Sequence, residues 1–293
     1  MLIATIVASE TLGQGEVAEA LDRIAAVGAI PAETIPLEPG KAVDIRFSGD
    51  GAAVRAALQA MPGTHDVVVQ PEETRAKALL IADMDSTMIT VECIDELADY
   101  AGIKAQIADV TARAMRGELD FAEALTARVA LLAGLDEAAI DRCREERVRL
   151  TPGATALIRT MGARGAHTVL VSGGFTRFAE PVGAEIGFHT VVANVLGIEG
   201  GKLTGSVGFP IVDSARKRHE LEQALAAHGI APERSLAVGD GANDIPMIER
   251  AGLGVAFHAK EKARQAADAE IRHGDLSVLL YAQGIARKDW VAE

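Results

Sequence analysis

Acidic, hydroxyl and glycine residues follow three short apolar stretches that have the pattern of β-strands. The motifs and the stretches before them are Asp83-Met84-Asp85-Ser86-Thr87 after Ala78–Ala82, Ser172-Gly173-Gly174 after Thr168–Val171, and Gly239-Asp240-Gly241-Ala242-Asn243-Asp244 after Leu236–Val238. Continuous apolar stretches of this length are typical of strands in a parallel sheet covered on both faces. Because such sheets bind ligands beyond the carboxyl ends of their strands, we expect the three motifs to form one crevice.

Four carboxylates, those of Asp83, Asp85, Asp240 and Asp244, are expected to lie near each other in this crevice. Without a cation they would repel one another, and some would be forced to protonate. A hard divalent cation resolves the conflict, and Mg²⁺ prefers a few carboxylates together with phosphate oxygens and water. Such a site stabilises the charge of a phosphoryl group in transfer. One aspartate of a pair can act as nucleophile, and the other as general acid and then base.

The elements around these motifs predict an α/β domain. Further apolar strands are expected at Val191–Asn194 and Gly254–Phe257, and helices separate the strands along the chain. Residues 104–149 have a helical pattern and no strand, which indicates a helical cap inserted at about residues 95–150. We therefore predict a Rossmann-like parallel sheet domain over residues 76–285.

The first 75 residues have a different pattern. The expected strands and helices follow the order βαββαβ, at Leu2–Ala8, Gly15–Val27, Ala32–Leu37, Ala42–Phe47, Ala52–Met61 and Asp66–Gln70. This order is typical of a ferredoxin-like α+β module, for which we predict residues 1–75. The polar stretch Pro71–Arg75 is expected to link it to the sheet domain, and nothing in the module looks catalytic.

The composition excludes several classes of function. With 29 basic and 42 acidic residues among 293, the net charge is −13, and aromatic residues make up only 3%, so a nucleic-acid-binding surface is not expected. No apolar run is long enough to span a membrane. The first residues, Met1–Val7, read as a strand rather than a signal peptide. Since two cysteines cannot build a disulfide framework, we expect a cytoplasmic protein.

The motifs, in this order, resemble those of the haloacid dehalogenase superfamily of phosphatases. Asp83-Met84-Asp85-Ser86-Thr87 matches its D-x-D-x-T motif, Ser172 matches the hydroxyl at a strand end, Lys217 matches a lone lysine, and Gly239–Asp244 matches G-D-x-x-x-D. Glu92, shortly after the first motif, and the stretch Val171–Phe175 are similar to those of phosphoserine phosphatases, over about residues 77–280. The first 75 residues resemble ACT-like amino-acid-binding domains in pattern only.

The resemblance implies the haloacid dehalogenase fold and Mg²⁺-dependent hydrolysis of O-phospho-L-serine through an aspartyl-phosphate, the last step of serine biosynthesis. It also implies that the N-terminal module has a regulatory role, with possible serine binding there and possible pairing into a homodimer.

The resemblance also implies a role for each site residue. Asp83 is the nucleophile, and Asp85 is the general acid and then base. The implied metal site consists of Asp83, the backbone carbonyl of Asp85 and Asp240, supported by Asp244 and Asn243. The implied substrate site consists of Ser172, Gly173, Lys217 and Asn243 around the phosphate, Glu92 at the ammonium, Arg128 at the carboxylate, and Met115 and Phe121 as apolar walls.

Several alternatives remain open from the residues alone. The same fold could act on another phosphomonoester, such as phosphothreonine or phosphohomoserine. A dehalogenase is disfavoured because that chemistry needs neither Asp85 nor Mg²⁺. An amino-acid-sensing protein with an inactive enzyme domain is disfavoured because every catalytic position is present. As structural readings, Asp83 and Asp85 could cap a helix, Gly239-Asp240-Gly241 could be a plain turn, and Lys217 could be surface charge.

Overall fold

The computed structural model describes residues 1–291, apart from the side chain of Met115. The strands are β1 (Leu2–Ala8), β2 (Ile30–Glu38), β3 (Ala42–Ser48), β4 (His65–Pro71), β5 (Leu79–Ala82), β6 (His167–Phe175), β7 (Thr190–Asn194), β8 (Leu196–Glu199), β9 (Lys202–Val207), β10 (Ser235–Gly239), β11 (Leu253–Phe257) and β12 (Ala269–Ile271). The α-helices are α1 (Gln14–Ala26), α2 (Gly51–Gln59), α3 (Cys93–Tyr100), α4 (Lys104–Met115), α5 (Phe121–Ala130), α6 (Ala138–Arg147), α7 (Ala154–Ala163), α8 (Thr176–Ile186), α9 (Ser214–His228), α10 (Ile245–Arg250), α11 (Glu261–Ala266) and α12 (Val278–Ala282).

The strands β12-β11-β10-β5-β6-β7 lie side by side in this order, and each neighbouring pair is parallel. Alternate residues of the central strand β5 enter two different cores, with Leu80 and Ala82 on one face and Leu79 and Ile81 on the other. This two-sided burial explains why the strand is apolar at every position. The predicted α/β fold with a mostly parallel central sheet is confirmed.

Residues 1–71 follow the element order β1-α1-β2-β3-α2-β4, as the sequence pattern predicts. Their strands pair in the order β2-β3-β1-β4, and every pair is antiparallel. The helices bury Ile24 and Val54 against strand residues such as Ile6 and Phe47, so this part of the chain has its own hydrophobic core.

The N-terminal strands and the parallel strands form one continuous sheet. Strand β4 runs antiparallel to β12, through the pair Val67 and Glu270. The sequence pattern did not predict β12, because three residues are too short to show a period. Arg75 adds to the junction, since it pairs with Asp44 at 2.7 Å and also donates to the carbonyl of Ala282 at 3.3 Å. The predicted linker is therefore ordered, and residues 72–74 form a short 3₁₀ turn.

Helices α4, α5 and α6 lie between β5 and β6 along the chain, within the region for which we predict a cap, and residues of α4 and α5 line a cavity at the carboxyl ends of the parallel strands. The hairpin β8-β9 packs against α5 and pairs with the cap at Asp136 and Lys202. Strand β6 runs on to Phe175 rather than ending at Val171, and its pairing with β7 is irregular between these two residues. No helix among residues 1–291 is long and apolar enough to cross a membrane.

Candidate active site

The turn after β5 presents two aspartates at the carboxyl edge of the sheet. The backbone of Asp83 is still extended, and its Oδ1 accepts a hydrogen bond from the amide of Met84 at 2.8 Å. Asp85 is also extended, whereas Ser86 adopts φ +56°, a left-handed conformation that is uncommon outside glycine. Met84, which separates the two aspartates in the sequence, is fully buried.

Lys217 of α9 bridges two of the predicted site carboxylates. Its Nζ lies 2.6 Å from Oδ1 of Asp83 and 2.7 Å from Oδ1 of Asp244. The lysine side chain is fully buried, so the alternative interpretation of Lys217 as surface charge is wrong. Burial lowers the pKa of Lys217, but Asp244 and Asp83 outweigh it and raise the pKa above its usual value. The site therefore holds a permanent ammonium charge beside Asp83.

Three carboxylates form a compact acidic cluster. Ligand atoms of Asp83, Asp240 and Asp244 all lie within 4.8 Å of one another, and all three residues are buried. Gly239 makes this possible because a Cβ at that position would collide with the carboxyl group of Asp244. Asp244 is held by the amide of Gly241, which donates to its Oδ2 at 3.0 Å.

The acidic cluster carries more negative charge than Lys217 neutralises. Burial raises the pKa of Asp83 well above its usual value, and Asp244 adds to the rise while Lys217 opposes it. Burial also raises the pKa of Asp240 to about 6, again with Asp244 adding to the rise. Buried hard oxygen donors at this spacing and with this charge excess fit a divalent cation such as Mg²⁺.

Asp85 lies in a different environment from Asp83. Burial raises its pKa to about 6, and the charge of Glu92 adds to the rise. The amide of Cys93 donates to Asp85 Oδ1 at 3.0 Å, which fixes the carboxyl group at the start of α3. A carboxyl group with a pKa near neutrality can both give and take a proton, as a general acid and base must.

The motif after β6 lies against Asp85. Ser172 is fully buried, its Oγ accepts from the amide of Gly174 at 2.9 Å, and Oδ2 of Asp85 lies 3.5 Å from the same Oγ. A Cβ on Gly174 would lie only 2.8 Å from that Asp85 oxygen, so only glycine fits here. Gly173 faces the cap, because a Cβ built on it would lie only 3.1 Å from the ring of Phe121.

Asn194, which sequence reasoning did not select, holds this motif in place. Its Nδ2 donates to the carbonyl of Gly173 at 2.8 Å, and its Oδ1 accepts from the amide of Val212 at 2.8 Å. The side chain is buried, so Asn194 joins the motif to the segment that leads into α9 and Lys217. Its position at the end of a predicted strand was the available sequence signal.

A cavity of about 500 Å³ lies between the sheet edge and the cap. It brings together most of the predicted site residues, namely Asp83, Asp85, Glu92, Phe121, Arg128, Gly173, Asp240 and Asn243. Ser172, Lys217 and Asp244 are buried beneath its floor. Met115 ends α4, but its side chain lies outside the described part of the chain.

Besides the strand-end motifs, the cavity is lined by two acids, Glu92 and Asp120, and by two bases, Arg128 and Lys260. The Oγ of Ser86 donates to Glu92 Oε1 at 2.7 Å, which orients the Glu92 carboxylate. Arg128 donates from Nε to the carbonyl of Ala124 at 3.3 Å, and within residues 1–291 it forms no ion pair. Lys260, a lining residue that sequence reasoning missed, is exposed with its Nζ 3.9 Å from Asp240.

Comparison with known proteins gives the family. The family described as haloacid dehalogenase-like hydrolase matches residues 80–249, more than half of the chain. The chain belongs to this family. The match contains the turn after β5, the strand-end motif of β6, Lys217 and the acidic cluster, so the geometry described above coincides with the matched region.

Two curated relatives of this haloacid dehalogenase-like hydrolase are phosphoserine phosphatases. The one from Streptomyces coelicolor is 44% identical over 257 residues, which cover 88% of this chain and 59% of the relative. The one from Albidiferax ferrireducens is 47% identical over 207 residues, which cover 69% of this chain and 87% of the relative. The chain thus spans little more than half the length of the first relative and most of the second.

Solved structures agree in fold over 70–99% of this chain. A haloacid dehalogenase-family hydrolase from Salmonella enterica serovar Typhi superimposes with a TM-score of 0.85 at 28% identity, covering 96% of this chain and 98% of the other. A probable phosphoserine phosphatase from Vibrio cholerae gives 0.79 at 29% identity, covering 99% and 90%. A phospho-aspartyl intermediate analogue of phosphoserine phosphatase gives 0.65 at 37% identity, covering 70% and 98%.

Proposed function

We propose that this hydrolase converts O-phospho-L-serine and water to L-serine and phosphate. The observation that carries the proposal is the cavity that contains Asp83, backed by Lys217, together with Glu92 and the cap residue Arg128. A phosphate at the sheet edge would place an ammonium and a carboxylate of a small substrate toward this acid and this base. The phosphoserine phosphatases among the relatives support the same assignment.

The acidic cluster would hold Mg²⁺ through Asp83 and Asp240, with Asp244 beside them, and the backbone carbonyl of Asp85 stays a predicted fourth contributor. The donor set supports this choice because it consists of buried carboxylate oxygens with too little positive charge around them. When bound, Mg²⁺ supplies charge that keeps the carboxylates ionised and stabilises the phosphoryl oxygens.

Asp83 and Asp85 would divide the chemistry between them. A carboxylate oxygen of Asp83 attacks phosphorus while the bond from phosphorus to the serine oxygen breaks, and Asp85 gives its proton to that oxygen. Serine leaves, and Asp85 then takes a proton from a water molecule whose oxygen attacks the phosphorus of the acyl phosphate. This step restores the Asp83 carboxylate and releases phosphate. Lys217 offsets the repulsion between the Asp83 carboxylate and the phosphate dianion.

Substrate recognition would depend on the cap. Glu92, oriented by Ser86, would accept hydrogen bonds from the substrate ammonium. Arg128 has no carboxylate partner among residues 1–291 and a planar guanidinium that can bind a carboxylate with two parallel hydrogen bonds. Phe121 lies against Gly173 and would exclude water on one side, and Met115 stays a predicted second apolar contact.

Phosphate release from phosphoserine, with Mg²⁺ and with a chelator, tests the proposal. Asp83→Asn should abolish turnover of every phosphomonoester. Glu92→Ala and Arg128→Ala should each lower kcat/KM for phosphoserine by about 100-fold, because each loses a charge-assisted contact with the substrate. The same two variants should keep their turnover of para-nitrophenyl phosphate, which has neither an ammonium nor a carboxylate.

A control on the cap is Arg113→Ala, since Arg113 is not among the residues that line the cavity. It should leave both activities close to those of the wild type. If phosphothreonine or phosphohomoserine is hydrolysed faster than phosphoserine, the substrate assignment is wrong. If Asp83→Asn keeps its turnover, the proposed nucleophile is wrong.

We also propose that residues 1–75 are a ferredoxin-like, ACT-like regulatory domain and that residues 76–285 are the phosphatase domain. The element order and the separate core of the N-terminal part support this division. Serine binding at the N-terminal domain, pairing into a homodimer and a cytoplasmic location remain predictions.

A further inference from the structure

A second cavity, of about 510 Å³, lies between the N-terminal strands and the parallel-sheet domain. Ser9 and Lys41 line it from the N-terminal side, and Ser86, His273 and Ser277 line it from the other. It shares no lining residue with the cavity that contains Asp83, so the two spaces are separate. Its size is within the range of sites that bind small molecules.

The lining of this interdomain cavity contains one lysine, Lys41, whose ammonium group can bind an anion. Lys41 Nζ donates one hydrogen bond, at 2.6 Å, to the carbonyl of Ser9, and within residues 1–291 no carboxylate lies close enough to form an ion pair with it. Asp275 is the acidic residue of the lining, and its Oδ1 already accepts from the amide of Ser277 at 2.8 Å. Lys41 thus keeps two N–H donors for a ligand.

One wall of the interdomain cavity is built by contacts across the two parts of the chain. The carboxylate of Asp66 in β4 accepts from the amides of Arg272 at 2.7 Å, His273 at 3.1 Å and Gly274 at 2.7 Å. Asp66 is buried, so these charge-assisted hydrogen bonds hold the loop that follows β12 against the N-terminal strands. The cavity is therefore a preformed space with a fixed wall.

Ser86 connects the interdomain cavity to the active site. It lines the interdomain cavity, and its hydroxyl donates to Glu92, which lines the active-site cavity. Its positive φ and its place directly after Asp85 mean that the backbone here has little freedom to adjust without moving its neighbours. A ligand that contacts Ser86 would change the position or the hydrogen bonding of Glu92.

We propose that the interdomain cavity binds a small oxyanion, a carboxylate or a phosphate-like group, at Lys41, and that its occupancy changes the affinity of the active site for substrate through Ser86 and Glu92. The binding half stands independently of the enzymatic assignment. The regulatory half rests on the proposed phosphatase function.

Calorimetric titration of the full chain with malonate, and separately with methylphosphonate, tests the binding half. Lys41→Met should weaken binding of at least one probe by about tenfold, because it removes the charged donor. Lys288→Met, an exposed lysine outside the cavity, should bind like the wild type. Arg128→Met should also bind malonate like the wild type, since Arg128 belongs to the active-site cavity.

Three results would overturn the binding half. They are unchanged binding by Lys41→Met, no binding of either probe to the wild type, and a loss of malonate binding in Arg128→Met, which would place malonate in the active site. Preference for malonate or for methylphosphonate identifies which oxyanion the cavity takes.

The regulatory half is tested by measuring KM for phosphoserine with and without the probe that binds. The wild type should show a change in KM that Lys41→Met does not show. Ser86→Ala should bind the probe but lose the change in KM, because the link to Glu92 is gone. An equal KM with and without the probe would refute the coupling. Absence of phosphoserine turnover in the free wild type would refute the proposed function instead, while calorimetry still decides the binding site.

Discussion

Replacing Lys217 by methionine is the most direct test of how the active site is held together. The substitution keeps most of the side-chain volume and removes the ammonium that lies 2.6 Å from Asp83 and 2.7 Å from Asp244. Both carboxylates and the lysine are buried, so water cannot take over the role of the lost charge. The variant therefore leaves two buried carboxylates without their partner.

The structure sets the size of the expected effect. At 2.6 Å and an effective dielectric constant of about 20, one such charge pair has an interaction energy of about 6 kcal/mol, and Lys217 makes two. Desolvation of the three charges cancels much of this gain, and removal of one partner from a buried pair typically costs about 3–5 kcal/mol. We expect Lys217→Met to lower the free energy of unfolding by about 4 kcal/mol.

The assay is urea denaturation at neutral pH in the presence of a chelator, so that no cation replaces the lost charge. Arg218→Met is the matched control on the same helix, because Arg218 pairs with Glu222 at the surface, where Glu222 keeps Arg250, and should cost less than about 1 kcal/mol. The double variant Lys217→Met/Asp244→Asn should recover about 2 kcal/mol, since it removes one of the unpaired carboxylates. The reasoning fails if Lys217→Met is as stable as Arg218→Met, or if the double variant recovers nothing.

Three further predictions follow from buried polar groups. Asn194→Leu should raise the inhibition constant of inorganic phosphate by about tenfold, because Gly173 loses its anchor; an unchanged constant would contradict this positioning role. Asp66→Ala should lower the free energy of unfolding by about 3 kcal/mol, because the three amides of residues 272–274 lose their acceptor; a loss below about 1 kcal/mol would contradict it. Burial lowers the pKa of Lys77 from 10.5 to about 8. Between these pH values the unfolded state binds more protons than the folded state, so the free energy of unfolding should rise with pH. The difference in the free energy of unfolding between the wild type and Lys77→Met should therefore change by about 2 kcal/mol from about pH 8 to pH 10.5. A difference that stays constant over this range would contradict the lowered pKa.

The sequence predicted the parallel sheet and the positions of its catalytic motifs because these depend on local patterns. A strand buried on both faces is apolar at every position, as in β5, and this can be read without knowledge of its neighbours. The carboxyl end of such a strand is also a local feature, so the placement of Asp83 and Asp240 at one edge followed from the pattern. The family resemblance added Glu92 and Arg128, which no local pattern singles out.

The tertiary structure decided which of the nearby polar residues are buried and what they contact. Nothing local distinguishes Lys217 from the basic residues beside it, because its burial depends on the packing of α9 under Asp83 and Asp244. In the sequence Asn194 is only a polar residue at a strand end, and its hydrogen bond to Gly173 depends on the tertiary structure.

The union of the two parts of the chain was likewise beyond the sequence. Asp66 and the amides of residues 272–274 are more than 200 positions apart, and each looks ordinary in its own segment. Hydrophobic periodicity reports which face of an element is covered, but it carries no information about which distant element covers it. The interdomain cavity, and the position of Ser86 between this cavity and Glu92, therefore depend on which strands pair in the sheet.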